Sequence, residues 1–133
     1  MYLTGLNPIP EKAEGVADLF CRVTKLRDAC ILLARSRPYR EHPIGWVVRH
    51  LELADLKVVD VARFPNTYNY GKIQAQIDAA KSTLQFIKSD EVRSVMAKQI
   101  DELDQECKEV LDSCPDGSFE LGFDWVITAV KEE

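Results

Sequence analysis

Between Met96 and Cys114 the apolar residues Met96, Ile100, Leu103, Cys107, Val110 and Cys114 recur at spacings of 4, 3, 4, 3 and 4. That period matches one face of an α-helix and cannot be satisfied by a strand, whose side chains alternate faces at every residue. The same period runs through Val16, Leu19, Val23, Leu26, Cys30 and Leu33, and through Ile73, Ile77, Ala80, Leu84 and Ile87. It also connects Val47, Leu51, Ala54, Val58 and Val61. These stripes predict helices over about 11–36, 44–63, 71–88 and 90–114.

The breaks between them carry the expected punctuation. Asn7-Pro8-Ile9-Pro10 precedes the first helix, and two prolines, Pro38 and Pro43, close it off from the second. Pro65 to Gly71 has turn chemistry throughout, and Ser89-Asp90 offers an N-cap ahead of Val92 that separates the third helix from the fourth. Pro115 and Gly117 end the fourth. Leu56 to Val61 is valine-rich, which favours a strand, but the continuous spacing and the lack of a turn signal favour helix. In the tail, Phe119, Leu121, Phe123, Trp125 and Ile127 alternate as in a strand; without a partner strand a short C-terminal helix is preferred to an extended tail. The expected fold is all-α: a four-helix up-down bundle, a single helical domain over residues 1–133.

A chain of 133 residues, 46% hydrophobic, can bury one core but not comfortably two. Cys21, Cys30, Cys107 and Cys114 all lie in helical segments, so they are expected to be reduced core residues. No window resembles a membrane span or a signal peptide, and the protein is expected to be cytoplasmic.

The formal charge of -5 divides unevenly: residues 1–65 carry a net of +2 and residues 66–133 a net of -7. The total argues against general nucleic-acid binding, so that partner is not expected. Locally, Arg35, Arg37, Tyr39 and Arg40, with His42, Arg49 and His50 nearby, form a basic patch at one bundle end. It could bind an anion or a nucleic-acid backbone, because guanidinium forks match paired oxygens; equally, it could answer the carbonyls at a helix C-terminus. Tyr68 and Tyr70 lie in an Asn-containing loop, either as contact residues or as plugs of the bundle end. Glu102, Glu106 and Glu109 share one face of the fourth helix, suited to a basic protein partner or to plain solvation, with Asp104 and Lys108 paired at i, i+4.

Two histidines are too few for a bundle metal site, the cysteine spacing does not fit zinc, and no phosphate loop, dinucleotide turn or nucleophile elbow is present. The expectation is therefore a protein that is not an enzyme and holds no metal or cofactor. It would act as an interaction or regulatory protein on another protein through helix faces and bundle-end loops, with a homodimer among its expected assemblies.

Overall fold

A computed structural model describes residues 1–8, 13–36 and 41–131. In chain order the elements are β1 (Tyr2–Leu6), α1 (Gly15–Leu33), α2 (Ile44–Leu53), β2 (Leu56–Asn69), α3 (Gly71–Leu84), α4 (Asp90–Ser113) and β3 (Ser118–Lys131). The fold is α+β. Three strands form an antiparallel sheet in the order β1-β3-β2, which overturns the expected all-α four-helix bundle.

The described chain divides into two compact units. Residues 13–36 and 67–119 make a helical unit in which α1, α3 and α4 pack on one another. Its core consists of Val23, Cys30, Ile73, Ile77, Ala80, Ile100 and Cys107, each with almost no exposed surface. These come from the three stripes whose period was unambiguous. The α3–α4 break falls where the sequence places it, with the Ser89 hydroxyl accepting from the Val92 amide at 3.3 Å.

The α4 stripe is rotated from its expected position. Leu103 and Val110 are half-buried and Cys114 is exposed, whereas Asp104 is buried. Cys114 is thus not a core residue, unlike Cys21, Cys30 and Cys107; none of the four forms a disulfide. Asp104 is tolerated inside because its carboxylate is fully engaged. Lys81 Nζ donates at 2.7 Å, Gln74 Nε2 at 3.1 Å, and Lys108 Nζ lies 3.2 Å away as the i, i+4 pairing predicts. The hydrogen bond from Lys81 is the main reason its pKa is held down at about 2.

Residues 1–8, 41–66 and 120–131 make the sheet unit, which contains α2. Here the expected helix over 44–63 is corrected: it stops at Leu53, and the chain continues as strand from Leu56. The reversal needs no glycine because Asp55 itself takes the left-handed conformation, φ 61°, with its amide donating to Glu52 O at 3.1 Å. Asp is one of the few residues that visits this region at modest cost. The tail is likewise corrected from helix to strand. β3 buries Leu121, Trp125, Ile127 and Ala129 in alternation, and its partners are β1 and β2.

The β1–β3 register pairs Tyr2 with Thr128, Leu3 with Ile127, Thr4 with Val126, Gly5 with Trp125 and Leu6 with Asp124. Met1 and Ala129 exchange two hydrogen bonds of 2.9 Å, and Asn7 donates to Phe123 O at 3.0 Å. The odd positions of β1 therefore face β3, and the backbone groups of Tyr2, Thr4 and Leu6 point to the outer edge.

Two outcomes follow from this packing. Asp55→Gly should raise stability by about 0.5–1 kcal/mol in urea unfolding, because glycine adopts the left-handed turn without a Cβ penalty. Asp104→Asn should lower stability at neutral pH by on the order of 2 kcal/mol. Since the folded carboxyl titrates near 2 and an unfolded one near about 3.9, the contribution of Asp104 is complete above about pH 4. It is lost as pH falls toward about 2. Urea titrations across that window should slope more steeply in the wild type than in the variant.

Candidate interaction surface

The helical unit presents one face on which α1 and α4 stand side by side. Arg22 on α1 reaches across to Glu106 on α4 with two parallel hydrogen bonds, Nη1 to Oε2 at 2.8 Å and Nη2 to Oε1 at 3.0 Å. Its Nε donates to Asp18 Oδ2 at 2.9 Å. The fork geometry suits guanidinium against carboxylate, so each group steadies the charge of the other. Arg22 holds the Glu106 carboxyl below its ordinary pKa, and Glu106 raises that of Arg22.

This clasp separates two shallow hollows. One, of about 580 Å³, has Leu26, Ala29, Met96 and Leu103 as its apolar lining, with Lys25, Gln99 and Glu102 at its rim. The other, of about 400 Å³, is lined by Val16, Leu19 and Val110 with Glu109 and Ser113. Glu102, Glu106 and Glu109, singled out from sequence as one acidic face, therefore form the α4 wall of a groove whose opposite wall bears Arg22 and Lys25. The sequence reading placed the glutamates together but missed Arg22, which is 84 residues from its partner in the chain.

The other sequence candidates separate. Tyr68 stacks on Phe20 and Phe119, with centroids 5.0 and 5.6 Å apart, and Tyr70 lies 6.3 Å from Phe119. Tyr70 also donates its amide to Gly117 O at 3.0 Å, and a Cβ at Gly117 would sit 2.2 Å from the Tyr70 ring. Both tyrosines are half-buried parts of the internal packing. Arg35 is exposed at the end of α1, in the left-handed conformation of a Schellman turn: its amide donates to Leu32 O and that of Ser36 to Ile31 O, both at 3.0 Å. Arg37, Tyr39 and Arg40 lie outside the described residues.

Arg49, His42 and His50 belong to the sheet unit. The two imidazoles stack on opposite sides of the exposed Trp46 indole at 4.2 and 3.7 Å. His50 Nδ1 lies 2.8 Å from Trp46 O, which as a carbonyl only accepts, so Nδ1 carries the proton in this contact. The spacing of residues 42, 46 and 50 was a usable signal for this stack that the sequence reading did not take up. Among the described residues no group of three His, Cys, Asp or Glu side chains is placed to hold a metal ion, and no helix is long and apolar enough to cross a membrane. The chain matches no protein-family model, and comparisons with curated proteins and with solved structures find no match.

Asp18, Arg22 and Glu106 all keep more than two-fifths of their side-chain surface. Exposed pairs of this kind contribute little to folding, so Arg22→Ala should change stability by less than about 1 kcal/mol in urea unfolding.

Proposed function

We propose that the chain is a non-enzymatic protein-interaction protein whose helical unit takes an amphipathic, basic helix of another protein along the α1–α4 face. The observation that carries this reading is the groove itself: two apolar hollows in line, divided by the Arg22–Glu106 clasp and bordered by Glu102 and Glu109. A docked helix would place apolar side chains, spaced by one or two turns, into the hollows and basic ones against the glutamates. The clasp supports the reading as well. Its partners are steered by each other yet remain accessible, so a competing guanidinium or carboxylate could exchange with either at little cost.

The same reading puts the protein in the cytoplasm, which four cysteines outside any disulfide support, since reducing compartments disfavour disulfide formation. The basic-patch reading, an anion or nucleic-acid-backbone module, has less support. His42 and His50 are engaged with Trp46, and Arg37 and Arg40 lie outside the described residues.

The test is cross-linking mass spectrometry of complexes isolated from native lysate, alongside a double variant, Glu102→Lys with Glu109→Lys. The captured protein should cross-link to Lys25, which borders the larger hollow. The double variant should weaken its binding by about tenfold or more, with a reduced dependence on salt. Cross-links confined to the sheet unit, or binding indifferent to the charge reversal, would reject the groove.

A further inference from the structure

The two edges of the sheet are built differently. In the order β1-β3-β2 both outer strands have one side unpaired by any other described strand. β2 carries Lys57, Asp60, Arg63 and Pro65 along its length. Charge and proline are the usual means by which an edge strand resists pairing with another chain. β1 is Tyr2-Leu3-Thr4-Gly5-Leu6, with no charge and no proline. The register leaves the amides and carbonyls of Tyr2, Thr4 and Leu6 directed outward. Tyr2 is 76% exposed and Leu6 36%.

We propose that β1 is the two-fold edge of a homodimer, in which two copies pair their first strands antiparallel about Thr4 and join their sheets. The strand is self-complementary about that residue. Thr4 falls opposite Thr4 of the second copy, Tyr2 opposite Leu6, and Leu3 opposite Gly5. The first two are pairings of the outward-directed residues, so each exchanges two backbone hydrogen bonds across the axis.

On their face of the sheet, the exposed Tyr2 ring is laid across Leu6 of the other copy, an aromatic–aliphatic cross-strand pair. Leu6 is already a wall of an apolar hollow of about 450 Å³ shared with Phe64 and Val126, so the incoming ring extends an existing apolar surface. On the opposite face a large residue meets a small one. The space a Cβ would take at Gly5 is filled by the Trp125 indole, 2.5 Å from that position, so Leu3 of the second copy meets the edge of an indole. A two-fold axis makes every such contact twice, and it closes the assembly at two chains because the other edge is blocked.

Sedimentation equilibrium of the full chain over a dilution series tests this. The wild type should be a dimer that dissociates reversibly. Thr4→Lys and Thr4→Glu each place like charges opposite one another at the axis and should raise the dissociation constant by about tenfold or more. An equimolar mixture of the two should restore the dimer as a Lys–Glu heterodimer. Val61→Lys, on the opposite edge strand, should leave association unchanged. If a Thr4 variant fails to fold by circular dichroism, Tyr2→Ser decides instead, because its exposed side chain makes few contacts within one copy, and it should weaken the dimer. A wild type that stays monomeric throughout would overturn the proposal. So would variants at position 4 that dimerise normally, a mixture that stays monomeric, or loss of association on Val61→Lys alone.

Discussion

The backbone of β3 is the constraint on which the sheet depends. As the middle strand it must satisfy donors and acceptors on both sides, and it does so with β1 and β2, whose residues lie more than 45 positions earlier in the chain. Leu121, Trp125, Ile127 and Ala129 are buried along it, and the β1–β3 register fixes which side chains share that face. A slip by one residue would turn all of them outward. Gly5 belongs to the same constraint, since its missing side chain is the space that Trp125 occupies.

The helical unit is organised by a different balance. Its apolar seam would close without any polar group, yet α4 turns so that Asp104 faces inward and Leu103 moves toward the α1 side. Asp104 draws Lys81 and Gln74 of α3 and Lys108 of its own helix into one network. That rotation shapes the surface as well as the core. With Leu103 and Val110 only half-buried, they become walls of the two hollows on the α1–α4 face, and the acidic row beside them borders a groove.

What the sequence made legible follows the strength of its periodicity. α1, α3 and α4 were readable because their stripes repeat over four or more turns and end at prolines, glycine or a capping serine. The Glu102, Glu106 and Glu109 row was readable for the same reason. The stretch after Leu53 was not, because Leu51, Ala54, Val58 and Val61 happen to continue a helical spacing while Asp55 makes the turn usually signalled by glycine. That misreading concealed a second element. The alternating tail shows no partner in the sequence, because one partner strand carries a helical spacing and the other is only five residues long.

By itself the sequence determined three helices, the capped start of α4, the charge placed on α4 and the burial of three of the four cysteines. These depend on neighbours within a few turns, where spacing and capping act directly. Tertiary structure decided that the two ambiguous segments are strands, that Asp104 rather than Leu103 faces the core, that Arg22 clasps Glu106, and that β1 and β2 flank β3 as the outer strands of the sheet. Each of these joins residues far apart in the chain, and a pairing between distant segments leaves no periodic trace in either one alone.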